Sequence, residues 1–367
     1  MNSQVKQLDF TGQKVFVGMD VHKKSWKVAT CTMNTNPTNW PITIGKPFVK
    51  NIKKHLDKHY PNADFECGYE AGFSGFWIHK ELVKVGLKTK VVHASDIPTN
   101  DKERKQKEDK RDARKIAKAL KNDDIDGIYV PTDEALRTRN LVRERYTITK
   151  SGRRIKCQIK SHLALYHIEI PEEMTDKHWS RKYITWLEKE RDERGDGTLS
   201  LQLDRLEFLR KLQLKANKAL RTLAKTEKYE ELHSILLSVP GIGTLTAMLL
   251  ISEIIDMKRF SSFDNLCSYV GFIPTTNSSG DTDVKGHLTK RCNKRIKTAL
   301  IESSWIAIKS DSALLLKYET LKKRMIGKQA IIRIARILLS RIRYIWLNQK
   351  RYRVTRYALR KGNNINL

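Results

Sequence analysis

Apolar and polar positions alternate differently in the two parts of this chain. Up to about residue 130, short apolar runs are interleaved with amphipathic stretches. Residues 14–19 (K-V-F-V-G-M) predict a buried strand, and 25–31 (S-W-K-V-A-T-C) alternate as its hairpin partner would. A turn-rich stretch with Asn34, Asn36, Pro37 and Asn39 follows, and residues 42–44 could form a third strand. The pattern then predicts a helix over 48–59, a strand over 65–69, a helix over 72–85 and a strand over 88–93. Over 109–121, Ala113, Ile116, Ala117 and Leu120 share one helical face. A strand hairpin followed by alternating strands and helices predicts a mixed-sheet α/β domain.

Beyond Pro131 the period becomes helical. Residues 132–167 are basic and helix-like, and Pro171 interrupts them. The run D-E-R-G-D-G over 192–197 reads as a turn. Leu203, Leu206, Leu209, Leu212, Ala216, Leu220 and Leu223 then step by three or four. That spacing predicts a long helix, either one half of an antiparallel coiled coil with the earlier basic helix or a plain bundle helix. Residues 233–260 predict a helix, a tight P-G-I-G turn and a second helix. The rest reads as helical apart from a loop over 274–286. From residue 331 a basic amphipathic helix carries Arg333, Arg336 and Arg343 among its apolar residues. The expected division is 1–130, 131–230, 231–355 and a basic tail over 356–367.

Charge narrows the function. The 367 residues carry a formal net charge of +30. Clustered Lys and Arg release counterions from phosphates, so nucleic acid is the leading partner and an anionic membrane surface the weaker one. No apolar run approaches the roughly 18 residues of a spanning helix, and the polar N-terminus lacks a signal-peptide core. The five cysteines are scattered without a C-x-x-C, which argues against zinc and disulfides and for a reducing cytoplasm.

Four acids stand out against this basic background. Asp20 lies in V-F-V-G-M-D-V-H-K, Glu70 in F-E-C-G-Y-E-A-G, and Asp109 and Asp112 in K-E-D-K-R-D-A-R-K-I-A. The first two close predicted strands, and the last two are one helical turn apart. Magnesium takes hard oxygen ligands, so a few carboxylates on rigid elements suffice to hold Mg²⁺ against a phosphate. Lys107, Lys110, Arg111 and Arg114 would draw in the backbone of the nucleic acid. Singly, each acid has a plainer reading, as a strand-end carboxylate or a first-turn helix acid.

Two further segments carry candidate chemistry. Gly241 and Gly243 in V-P-G-I-G-T permit a tight turn into a helix whose free N–H groups could bind phosphate. The polar P-T-T-N-S-S-G segment offers serine hydroxyls, and Lys285, Lys290 and Arg291 follow it as candidate phosphate contacts. By composition alone the first is an interhelical turn and the second an ordinary loop.

The order G-M-D-V-H-K, Y-E-A-G, K-x-D-x-x-D-A-R-x-I-A, a helical segment, V-P-G-I-G and G-F-I-P-x-x-x-S-S-G resembles the DEDD transposases of the insertion sequence 110 family. That family includes the pilin-gene invertases and bridge-RNA-guided recombinases. The resemblance spans nearly the whole chain. It implies an RNase H-like, RuvC-like nuclease domain over 1–130, a coiled-coil segment over 131–230 and a mainly helical transposase domain over 231–355 with a helix-hairpin-helix-like turn. It further implies a Mg²⁺ site at Asp20, Glu70, Asp109 and Asp112, and a nucleophilic Ser279, with Ser278 as the neighbouring alternative. Donor and target DNA, a structured guide RNA and further copies of the chain (a dimer or tetramer) are the implied partners, in a bacterial or archaeal nucleoid. Two other readings stay open: a Mg²⁺-dependent junction resolvase that uses water, and a non-catalytic RNA- or DNA-binding protein.

Overall fold

A computed structural model describes residues 9–39, 49–98, 109–174, 179–279 and 282–355. Of Asn39, Asp109, Lys110 and residues 276–279 and 282–285 it describes the backbone. Lys107, the candidate strand at 42–44 and the tail at 356–367 lie outside the described residues. The chain divides into two units, Met1–Val130 and Pro131–Leu367.

The first unit is built on a five-stranded sheet of order β3-β2-β1-β4-β5. Its strands are β1 (Lys14–Val21), β2 (Trp26–Thr32), β3 (Thr38–Asn39), β4 (Asp64–Glu70) and β5 (Lys88–Val92). Strand β2 pairs antiparallel with β1 and β3, whereas β4 runs parallel to both β1 and β5. Val15 to Met19 are buried along β1, as a strand covered on both faces requires. On one face Val15, Val17 and Met19 pack with α1 (Val49–His59) and α2 (Trp77–Lys84). On the other, Phe16, Ala29 and Cys31 pack with Ala113, Ile116, Ala117 and Leu120 of α3 (Asp109–Lys121). This mixed sheet with helices on both faces is the RNase H-like arrangement. Helix α2 is shorter than the sequence pattern predicts: residues 72–76 form turns, with Gly75 at φ +58°.

The second unit is mainly helical. Helix α4 (Asp133–Leu165) is capped at its start by the Thr132 hydroxyl, which accepts from the Ala135 N–H. It ends ahead of Pro171. Helix α5 (Arg181–Arg194) stops at Gly195, φ +60°, and Asp196 then caps α6 (Gly197–Ala224). Arg145 near the start of α4 bonds Asn217 near the end of α6, while His162 near the end of α4 meets Asp196 at the start of α6. The two long helices are therefore antiparallel. Ile155, Ile159 and Leu163 pack with Leu199, Leu203 and Leu206 in a small core of their own.

A larger core unites α7 (Glu227–Leu237), α8 (Thr244–Ile254), α9 (Phe263–Val270), α10 (Lys294–Ser310), α11 (Ser312–Lys322) and α12 (Gly327–Leu347). Between α9 and α10 lies a hairpin, β6 (Pro274–Ser279) and β7 (Thr282–Leu288). The expected loop over 274–286 is thus corrected to two paired strands. The physical reason is visible in the residues: Thr275, Thr276, Thr282 and Val284 are β-branched, and a Gly-Asp dipeptide between the strands is a hairpin signal. Low hydrophobicity hid the pairing. Among the described residues, no helix is long and apolar enough to cross a membrane.

Candidate active site

The register of four strands positions the first two acids. Gly18 pairs with Gly68 and Met19 with Tyr69 across β1 and β4. One step on, Asp20 and Glu70 are level on neighbouring parallel strands. Asp20 faces Lys27 of β2 on its other side, and Glu70 faces Val92 of β5. Side chains alternate along a strand, so Phe16, Gly18 and Asp20 share the face covered by α3, as do Glu66, Gly68 and Glu70.

Helix α3 reaches that face because two glycines admit it. A Cβ on Gly18 would lie 2.0 Å from the Ala113 carbonyl oxygen and 2.5 Å from the Ala117 nitrogen. A Cβ on Gly68 would lie 2.9 Å from Leu120. The far end of the helix, Leu120 and Lys121, shares a cleft with Lys14 and Phe16 at the start of β1. The helix therefore runs opposite to β1, and its first turn, with Asp109 and Asp112, lies towards the end of the sheet that carries Asp20 and Glu70.

The acids meet local partners there. His22 Nε2 is 3.1 Å from Asp20 Oδ2, and Lys115 Nζ is 3.6 Å from Asp112 Oδ1. Glu70 is exposed, Arg111 half-buried and Arg114 exposed. Among the described residues no three acidic, histidine or cysteine side chains gather closely enough to hold a metal ion. Like-charged carboxylates repel one another, and Asp20 and Asp112 lean instead on an imidazole and an ammonium. The side chain of Asp109 lies outside the described residues. In donor type the set fits a hard divalent cation: carboxylate oxygens on two strand ends and one helical turn.

The other candidate residues belong to the second unit. Ser279 is the last residue of β6, paired with Thr282, and Ser278 pairs with Asp283. The candidate nucleophile thus occupies the tip of the hairpin. The side chains of Ser278, Ser279 and Lys285 lie outside the described residues, and Lys290 and Arg291 are exposed beyond its base. Gly241 has φ +82°, and a Cβ there would lie 2.5 Å from the Ser303 carbonyl oxygen. Its own carbonyl accepts a 2.9 Å bond from the Ser303 hydroxyl. Close packing on α10 therefore accounts for Gly241. Gly243 is exposed and opens α8 without a side-chain cap.

A buried charge centre below the hairpin was not read from the sequence. Glu253 of α8 is fully buried. Arg143 of α4 donates two bonds to its carboxylate, both 2.8 Å. Asn293, which caps α10 just after the hairpin, donates another at 2.9 Å. Arg139 lies 3.8 Å away and also donates to the Ser252 carbonyl. Burial opposes ionisation of Glu253, but the Arg143 hydrogen bond and the Arg143 and Arg139 charges outweigh it and hold the carboxyl below its ordinary range. Its one sequence signal is an acid inside the apolar run A-M-L-L-I-S-E-I-I. Gly18 and Gly68 left a clearer trace, since an isolated glycine within a strand pattern marks close backbone approach.

Two family models and several known proteins match this chain. Residues 17–168 match the DEDD transposase model of IS110, and residues 233–319 match the transposase IS116/IS110/IS902 family. The chain is 27% identical over 309 residues to the transposase for insertion sequence element IS1533 of Leptospira borgpetersenii, covering 80% of this chain and 85% of that protein. It is 24% identical over 299 residues to the putative transposase y4qE of Sinorhizobium fredii (strain NBRC 101917 / NGR234), covering 80% and 72%. The putative transposase y4rJ of the same strain is 29% identical over 308 residues, covering 75% and 76%. A sheet that sets two acids level, a helix that brings two more to the same end, and matching family models that run through α4 and resume after α6 make this chain a member of the IS110 transposase family, an enzyme that cuts and rejoins DNA.

Proposed function

We propose that the chain recombines DNA by serine attack on a phosphodiester, with Mg²⁺ held by Asp20, Glu70, Asp109 and Asp112. The observation that carries this reading is the level placement of Asp20 and Glu70 on the face that α3 covers, with the first turn of α3 at the same end. A bound divalent cation supplies Lewis-acid stabilisation of charge on the phosphate oxygens. Asp20 and Glu70 hold their carboxylates on rigid strand ends. Arg111 and Arg114 attract the backbone. Ser279, at a hairpin tip, attacks the phosphorus through its hydroxyl oxygen; the P–O bond to the departing strand breaks, that strand leaves as a hydroxyl that takes up the serine's proton, and a phosphoserine remains. A strand hydroxyl then displaces it, so one ester replaces another and the bond energy is conserved. The net charge of +30 supports partners beyond one duplex, and a structured guide RNA that selects donor and target DNA is the partner we infer. Leu201 and Phe208, one heptad apart on α6 and both exposed, support self-association as a dimer or tetramer.

Two variants test the reading. Asp20→Asn should lower strand cleavage roughly a hundredfold or more, because several kcal/mol of transition-state stabilisation would be lost. Salt-sensitive DNA binding, measured in parallel, should be unchanged. Ser279→Ala should remove the covalent protein–DNA adduct seen on denaturing gels. Cleavage without any adduct in the parent chain would favour the water-using resolvase instead. An adduct lost in Ser278→Ala but kept in Ser279→Ala would move the role to the neighbour.

A further inference from the structure

The basic helix α12 contributes to a cleft that the proposed reaction leaves unused. The cleft, about 510 Å³, is lined by Lys317 and Arg324 from α11 and the segment after it, by Arg333, Arg336 and Arg341 of α12, and by Phe263 of α9. No acid lines it. Arg341 is fixed from behind by buried Asp311 at 2.8 Å and by the Tyr352 hydroxyl. Arg336 bonds Asp264 at 2.7 Å and lies 5.6 Å from the Phe263 ring centre. Among the described residues no acid stands within ion-pair distance of Lys317, Arg324 or Arg333. Two cations are therefore oriented by anchors, and three are left facing solvent.

From these residues we infer that the cleft binds the phosphate backbone of duplex DNA. A single anion would not need this volume, which lies in the range of drug-sized ligands. Arg333 and Arg341 are eight residues apart on one helix, about 12 Å at 1.5 Å per residue. One strand of B-DNA carries a phosphate about every 3.4 Å along its axis. Laid along the duplex axis, the arginine row thus spans about three to four backbone steps. Guanidinium groups match phosphate oxygens in pairs, so arginine suits a groove that grips a backbone without reading bases. Duplex DNA is the occupant because a transposase acts on it. The inference rests on that reading but not on Ser279 or on a metal.

The test is binding of a labelled duplex to the full chain by fluorescence anisotropy across a salt series. Lys317→Ala/Arg324→Ala/Arg333→Ala should weaken binding at least tenfold near 0.1 M salt. It should also flatten the log–log salt slope by about two to three, at about 0.9 per lost contact. Arg324→Lys/Arg333→Lys keeps the charge and should keep most of the affinity, which separates a lost contact from a lost fold. Lys50→Ala/Lys54→Ala/Lys58→Ala removes equal charge from exposed positions of α1 and should cost less than threefold. Equal losses in the two triple variants would reduce the effect to overall charge and overturn the cleft. Loss of binding to a structured RNA, with duplex binding intact, would overturn the assignment to DNA. A parent chain that fails to bind duplex would count against the transposase reading itself.

Discussion

Alanine at Gly18 is expected to lift α3 off the sheet and end DNA cleavage. The added methyl would sit 2.0 Å from one backbone atom of α3 and 2.5 Å from another. Neither can rotate aside as a side chain could. Relief requires the helix to shift, and overpacking of this kind costs about 1–3 kcal/mol or more. The functional loss should exceed the loss of stability. The shift moves Asp109 and Asp112 away from Asp20 and Glu70, and misplacement by about 1 Å can cost a hundredfold in rate. Cleavage assays and thermal melts on the same preparations separate the two effects. Gly152→Ala is the internal control. It lies in α4 with nothing within 4 Å of an added Cβ, so it should stabilise the protein by about 0.5–1 kcal/mol. Full cleavage activity in Gly18→Ala would show that α3 does not position the acids.

Glu253→Ala should be the most destabilising single change in the second unit. It would leave Arg143 and Arg139 without their shared carboxylate, and removing one partner of a buried ion pair costs about 3–5 kcal/mol. That is a large part of the 5–15 kcal/mol typical of a whole domain. Urea titration at pH 7 measures it. The same carboxyl predicts an acid response. Its folded pKa lies below the ordinary 4.5. The stability it contributes is thus present above pH 4.5 and disappears as pH falls through the lowered folded value. The parent should lose stability steeply in that acid window, and Glu253→Gln should start lower and lose less. Because Asn293 ties the same carboxylate to the base of the hairpin, the variant should also speed amide exchange in 282–288.

The legible parts of the sequence were those with strong local signals. Helix α3 follows from Ala113, Ile116, Ala117 and Leu120 on one face, and β1 from an apolar run too short for a helix. The parallel pairing of β1 and β4 was not legible, because an acid at the end of each strand says nothing about which strands are neighbours or in which direction they run. The hairpin was missed because Thr, Ser and Asn carry no hydrophobic alternation, and its pairing is a property of the backbone. Glu253 was missed because Arg143 lies 110 residues away in sequence. Nothing local announces such a partner. The spacing between carboxylates was equally hidden, since Asp20 and Asp112 settle against His22 and Lys115 rather than against each other.

Helix α4 is a single rod of 33 residues, about 50 Å long. Arg139 and Arg143 anchor it at one end on the Ser252 carbonyl and the Glu253 carboxylate, and His162 seats it at the other beside Asp196. Both attachments face set directions around the axis. One residue inserted between them would swing the distal end through about 100°, whereas seven inserted into both α4 and α6 would restore the phase. The distance between the two cores of this unit can therefore vary among functional chains only in steps, such as about seven or eleven residues, that come close to whole helical turns.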